Sequence, residues 1–310
     1  MDVRQLRYFL AVVDCDGFGR AAKKLHVAQP SLSQSIAGLE RELGVQLFHR
    51  DARGVVLSSA GVELAEHARD VLRRMNVASE AIKSIRGLER GTVDLVSMPA
   101  PAIEPLSTLM RRFRSQYPDI TVKVGAGFTP DEVFDQLRQG TPEIGLVGVS
   151  EPLKVPGIEV FSLEQQPFVV LGSQSSGLPD GGVVPPAVLV GEGLIESPGG
   201  SLMRRIVDDL IAEGTEVQIV AEVSHRTSVL PLVLQGVGLA VVPSAWAPVA
   251  RAAGARVARL DVPSRLDVVL ASRSGPLTPA AKAFLAIARA YRPSAHLDQE
   301  QSGNATEQQR

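Results

Sequence analysis

Between residues 60 and 85 an apolar stripe runs through Leu64, Ala68, Val71, Met75, Ala78, Ile82 and Ile85, a spacing that alternates four and three. That is the heptad seam of one long helix. Ser58 or Ser59 can cap its start, and Gly87 and Gly91 interrupt it. A helix of this length extends about 40 Å at 1.5 Å per residue. The short segment before it cannot cover that length, so the stripe is expected to pair with the same helix of a second chain. A homo-oligomer, at least a dimer, follows. The helix also divides the sequence into a small part before it and a large part after it.

The part before it reads as short helices. Leu6, Phe9, Leu10 and Val13 fall on one face, then Phe18, Ala21, Ala22 and Leu25 on another. After His26-Val27-Ala28 comes a third stripe of Leu32, Ile36, Leu39 and Leu43, making a compact trihelical core. Val45 to Arg50, the Arg53-Gly54 turn and Val55 to Leu57 then read as a β-hairpin. The expected domains are 1–58 for this module, 59–90 for the linker helix and 91–293 for an α/β domain. Residues 294–310, with one Leu and two Ala as their only apolar side chains, are expected to be disordered.

In the large part, strand and helix patterns alternate: strand 92–98, helix 103–117, strand 120–124, helix 131–139 and strand 144–147 predict a parallel βαβαβ unit. A second series has strands at 168–171, 194–196, 218–223 and 239–242, with helices at 202–213 and 229–235. Strand 266–271 and helix 279–291 then return to the first lobe. Two α/β lobes joined by two crossovers enclose a cleft.

Composition narrows the function. Apolar residues make up 45% and charged residues 21% of the 310, as in folded globular chains. The net charge of −2 is unevenly spread, because residues 1–90 carry 14 Lys/Arg against 11 Asp/Glu. That excess permits a nucleic-acid partner at the N-terminus without proving one. Cys15 is the single cysteine, so no disulfide framework forms within one chain. No secretion signal and no membrane-spanning run are recognisable, which makes the cytoplasm the expected compartment. The histidines at 26, 49, 67, 225 and 296 are scattered, and no H-E-x-x-H or G-x-S-x-G motif occurs. No enzyme, metal or cofactor is expected.

The third helix carries the chemistry. On a 100° wheel, Pro30, Gln34, Ala37 and Arg41 lie opposite the apolar stripe, with Ser33 and Gly38 flanking them. A Gln amide can read an adenine edge in the major groove, and a Ser can bond a base or a phosphate. A hairpin carrying Arg50 and Arg53 follows, suited to phosphates or the minor groove.

The segments LRYFLAV, GRAAKKLHVAQPSLSQSIAGLERELGVQLFHR and RGVVLSSAG resemble the LysR-type transcriptional regulators, and the order of domains is similar over residues 1 to about 292. The resemblance implies a winged helix-turn-helix, a long dimerising linker helix and a two-lobed effector-binding domain similar to periplasmic solute-binding proteins. It implies sequence-specific contacts to double-stranded promoter DNA from Gln29, Pro30, Ser31, Ser33 and Gln34, with Arg50 and Arg53 on the wing. It also implies a tetramer built as two dimers. One departure is Gly17-Phe18-Gly19 where the family commonly has hydroxyl residues, so Asp16 is expected to cap the second helix instead.

Open α/β sheets bind ligands beyond the carboxyl ends of their strands. Here those loops, matched to the family's effector positions, give Ser97, Ala100, Thr129, Gly148, Ser197, Ser201 and Thr227 as candidates for holding a small-molecule effector such as a carboxylate. Arg204 or Arg205 can assist an anion, but a salt bridge to Asp208 or Asp209 competes for at least one of them. The run from Ser197 to Ser201 lacks the G-x-x-x-x-G-K-[ST] pattern of a phosphate loop. An architectural DNA-binding protein, whose second domain only oligomerises, is the alternative that would not respond to small molecules.

Overall fold

Asp2 opens the first helix with a capping box, accepting from the Gln5 N–H at 2.8 Å while its own N–H donates to Gln5 Oε1 at 2.8 Å. The computed structural model describes residues 1–51, 54–84, 91–140, 142–151, 153–199 and 202–293, which fall into two units. Arg53, Ile85, Ser201 and the 294–310 tail lie outside the described residues.

The first unit holds α1 (Val3–Asp14), α2 (Phe18–Leu25), α3 (Gln29–Leu43), a hairpin of β1 (Phe48–Asp51) and β2 (Gly54–Leu57), and α4 (Ser59–Lys83). Their apolar faces meet around Phe9, Leu32, Ile36, Leu39 and Leu47, all 0–2% exposed. The hairpin starts at Phe48 rather than Val45. The Leu47 N–H donates to Glu40 Oε1 at 2.8 Å, and its carbonyl accepts from the Ser58 N–H at 2.9 Å, so neither group is left for a ladder.

Ser58 caps α4, its Oγ accepting from the Gly61 N–H at 3.0 Å and donating to the Gln46 carbonyl at 2.6 Å. This docks the first turn of α4 so closely that a Cβ on Gly61 would stand 2.2 Å from the Leu47 carbonyl oxygen. In an open helix interior Ala gains about 1 kcal/mol over Gly. Here the clash with backbone reverses that sign, and Gly61→Ala is expected to destabilise by about 1–3 kcal/mol. A thermal melt of the variant reads the sign directly, and a higher melting temperature would contradict this account of the junction.

The second unit begins with β3 (Gly91–Ser97), α5 (Pro99–Ile103), α6 (Leu106–Gln116), β4 (Ile120–Ala126), α7 (Pro130–Gln139) and β5 (Ile144–Val149). Strands β4 and β5 flank β3 in parallel, as the alternation predicts. The helix expected over 103–117 is divided, because Pro105 stands at the N-cap of α6 and lacks the N–H that would continue α5.

Next come β6 (Ile158–Gly172), β7 (Val183–Val184), β8 (Gly193–Glu196), α8 (Leu202–Ala212), β9 (Gln218–Glu222), α9 (Val229–Leu234), β10 (Ala240–Pro243), α10 (Ala247–Ala252), β11 (Arg256–Leu260), β12 (Arg265–Arg273) and α11 (Pro279–Arg289). The 15-residue β6 serves both lobes: its first part pairs antiparallel with β12, and its last part with β10 and β11. Strands β8 and β9 pair in parallel. One apolar core gathers Val96, Phe134, Val147 and Val269, and a separate one gathers Val169, Ile195, Val233 and Val257. The chain therefore crosses between lobes along β6 and returns between β11 and β12. Helix α11 closes the first lobe, with Phe284 tilted against Phe113 of α6 at 5.3 Å between ring centroids.

Candidate functional site

Asp16 takes φ 48° and Gly17 becomes the N-cap of α2, with no side-chain cap. The cap expected from Asp16 is therefore absent. The carbonyls of Cys15 and Asp16 instead accept from the Arg20 guanidinium, one turn into the helix. Helix α2 ends at His26 in the left-handed region, and α3 starts three residues later with Ala28 as an N-cap that offers no side-chain oxygen. The first N–H groups of α3 are thus uncapped by side chain, beside a polar surface. Gln29, Pro30, Ser31, Gln34, Ala37 and Arg41 are exposed, Ser33 is half-buried, and Leu32, Ile36 and Leu39 face inward.

On the hairpin, Arg50 pairs with Val55 in the backbone register. Arg53 is outside the described residues.

The α4 stripe divides. Leu64 and Ala68 pack into the core of the first unit, with Ala68 1% exposed. Val71, Met75, Ala78 and Ile82 are exposed, Ile82 at 69%, while Ile85 falls outside the described residues.

Between the lobes of the second unit lies a cavity of about 30 Å³, lined from one side by Met98, Ala100 and Gly148 and from the other by Phe168, Met203 and Arg226. Leu266, where the chain re-enters the first lobe, completes its floor. Of the expected residues, Ala100 and Gly148 reach this cavity. Ser97 is buried with its Oγ donating to the Met98 carbonyl at 3.0 Å. Thr129 caps α7, its Oγ1 accepting from the Glu132 N–H at 3.2 Å. Ser197 is buried at the end of β8, and its Oγ has no partner among the described residues. Thr227 is exposed on the 3₁₀ turn Arg226–Ser228. Arg204 pairs with Asp208 at 2.7 Å, the competing role foreseen for it.

Sequence reasoning missed Arg226, Met203, Phe168 and Leu266. Its one available signal was that Arg226 sits within the loop after β9, where hydroxyls drew the attention. The Arg226 guanidinium donates to the Met203 sulfur at 3.1 Å. Burial lowers its pKa from the ordinary value, with the charge of Glu196 acting in opposition. Glu196, 2% exposed at the end of β8, is pushed up to about 7 by burial; the Ser197 N–H at 3.1 Å and the charges of Arg204 and Arg226 oppose that shift. Its Oε1 has no hydrogen-bond partner among the described residues.

Residues 86–293 match the family model described as "LysR substrate binding domain", and residues 3–62 match "Bacterial regulatory helix-turn-helix protein, lysR family". The chain belongs to the LysR family. This LysR-type regulator is 29% identical over 293 residues to the HTH-type transcriptional regulator TfdS of Cupriavidus pinatubonensis, covering 93% of this chain and 98% of that one. The regulator TfdT of the same organism is 38% identical over 145 residues, 47% of this chain and 63% of TfdT. Full-length CbnR, solved with its target DNA, is similar with a TM-score of 0.66 at 26% identity, over 94% of this chain and 99% of that one.

The LysR-type regulator is thus a DNA-binding transcription factor with an effector-binding domain, a class that is not enzymatic. Among the described residues no helix is long and apolar enough to cross a membrane.

Proposed function

We propose that the regulator reads operator DNA in the cytoplasm through α3, with Gln29, Pro30, Ser31, Ser33 and Gln34 against the major groove and Arg50 and Arg53 on the wing. The observation that carries this reading is the division of α3: Leu32, Ile36 and Leu39 are buried on one face, and the other presents two glutamines beside N–H groups that no side chain caps. Such a terminus accepts a phosphate while the side chains above it meet base edges. The exposed positions Val71, Met75, Ala78 and Ile82 on α4 support pairing of two chains, with tetramers assembled from two dimers. A small-molecule effector in the cavity between the lobes alters their relative angle, and with it the spacing or bend imposed on the promoter.

Gln34→Ala tests the reading face. It is expected to cost about 1–3 kcal/mol of discrimination between the operator and a base-substituted operator, the worth of one bidentate amide–base pair. Fluorescence anisotropy titrations against both duplexes measure it. Equal weakening on both, or no change on either, would remove Gln34 from base reading.

A further inference from the structure

The walls of the inter-lobe cavity say what kind of molecule it takes. Met98, Ala100, Phe168, Met203, Pro243 and Leu266 are apolar, the rest of the lining is Pro99, Pro101 and Gly148, and the one charged side chain is Arg226. Among the described residues the Arg226 guanidinium, with five N–H donors, has a thioether sulfur as its hydrogen-bond acceptor, a weak partner for a charge. Glu196 influences Arg226 through charge, yet the hydrogen bond that Glu196 Oε2 accepts comes from the Ser197 N–H. A partly buried cation so weakly matched favours an incoming anion. The walls also restrict that anion, because a second polar group placed among Met, Pro, Phe and Leu side chains would lose its water without replacement.

Size enters the same way. A cavity of about 30 Å³ holds roughly one or two waters. Its floor has little slack, since a Cβ on Gly148 would stand 2.7 Å from Leu266 Cδ1. An organic anion must therefore separate Leu266 and Phe168 from α5 around Ala100 as it enters, which couples occupancy to the angle between lobes.

We propose that the effector is an organic anion with one charged head and an apolar body, its head bound by Arg226 and its body seated between Met98, Phe168, Met203 and Leu266. This rests on the reading of the cleft as the effector site. It places recognition on the guanidinium and the apolar walls rather than on the hydroxyls of Ser97 and Thr129, which are engaged with the backbone.

The test uses the full-length protein and a fixed panel: acetate, butyrate, cyclohexanecarboxylate and benzoate, with butyramide and benzamide as uncharged counterparts and phosphate and citrate as polar anions. Melting temperature reports binding. So does the fluorescence of Trp246, the single tryptophan, on the 3₁₀ turn directly after the cavity residue Pro243. The expected result is saturable stabilisation by at least one of the larger monocarboxylates and none by its amide. Arg226→Met should weaken that binding roughly tenfold or more, and Arg226→Lys should weaken it less. An unchanged ligand-free melt of Arg226→Met keeps the comparison free of misfolding. If Arg226→Met does not fold, Arg226→Lys and the acid–amide comparison decide the outcome.

Equal binding of acid and amide, binding that survives Arg226→Met, preference for citrate or phosphate, or no binding across the panel would overturn the assignment. Operator titrations separate this from the regulatory reading. An acid that binds through Arg226 but leaves operator binding unchanged would uphold the ligand class and sink ligand control. A neutral ligand that changes operator binding would do the reverse.

Discussion

Phe9→Ala is expected to remove about 3–5 kcal/mol from the first unit and, with it, most operator binding. Phe9 is 0% exposed on α1. Its ring lies 5.4 Å from that of Phe48 on β1, which in turn meets Phe18 of α2 edge-on at 5.5 Å. Such aromatic pairs contribute beyond their buried area. Phe9 also packs with Ile36 and Leu39, the inward face of α3, and with Ala65 and Ala68 of α4. Truncation therefore opens a void at the point where α3, the hairpin and α4 share one support. A small domain with about 5–15 kcal/mol of stability does not absorb such a loss without a large unfolded fraction.

Urea titration followed by far-UV circular dichroism measures this loss, with Trp246 fluorescence as a separate reporter of the second unit. The expected outcome is an early dichroism transition that Trp246 does not share. A loss below about 1 kcal/mol, with operator affinity intact, would contradict the role given to Phe9.

The first unit was legible because its burial follows one period. Leu32, Ile36 and Leu39 recur at helical spacing and are the buried positions of α3, so the exposed Gln29 and Gln34 follow by subtraction. The second unit was less so. Only residues 168–171 read as strand, yet β6 starts at Ile158. Its first part breaks up Ile158, Val160, Phe161 and Leu163 with polar residues, and is held by its ladder with β12 together with side-chain bonds. Gln165 donates to Asp267 at 2.6 Å, Gln166 to the Glu104 carbonyl at 3.0 Å, and Glu164 accepts from the Tyr291 hydroxyl at 2.6 Å. Hydropathy does not detect a strand stabilised that way. Strand β11 escaped for a related reason, since Arg256 and Arg259 interrupt its apolar run.

The cleft was the least legible feature. Its walls come from α5, β5, β6, α8, the turn at Arg226, β10 and β12, which are remote in sequence. The sequence points to hydroxyls in the loops beyond the strand ends, but the Thr129 hydroxyl caps α7 and the Ser97 hydroxyl donates to the Met98 carbonyl. The residues that reach the cavity are mostly apolar ones that a sequence reading assigns to the core.

Glu196→Gln is expected to make the regulator more stable above neutral pH. The unfolded carboxyl loses its proton near 4.5, whereas burial holds the folded one until about 7. Between those values the folded state binds the proton that the unfolded state has released, so wild-type stability falls as pH rises. The gap corresponds to about 3 kcal/mol at 1.36 kcal/mol per pH unit.

Three charged side chains act on Glu196: Arg204 and Arg226 favour its ionised form, and Asp208 disfavours it. Their combined effect leaves burial dominant, consistent with a side chain 2% exposed whose Oε1 has no partner among the described residues. Gln keeps the shape and carries no charge to desolvate. Wild type and Glu196→Gln should therefore match near pH 4.5 and diverge upward, with the variant ahead by up to about 3 kcal/mol at pH 8. Urea titrations at pH 5 and pH 8, followed by Trp246 fluorescence, measure the divergence within the unit that contains both residues. Parallel pH dependence in the two proteins would mean that Glu196 ionises in the folded state as readily as it does in the unfolded chain, and the buried carboxyl would then have a charge partner that offsets its desolvation.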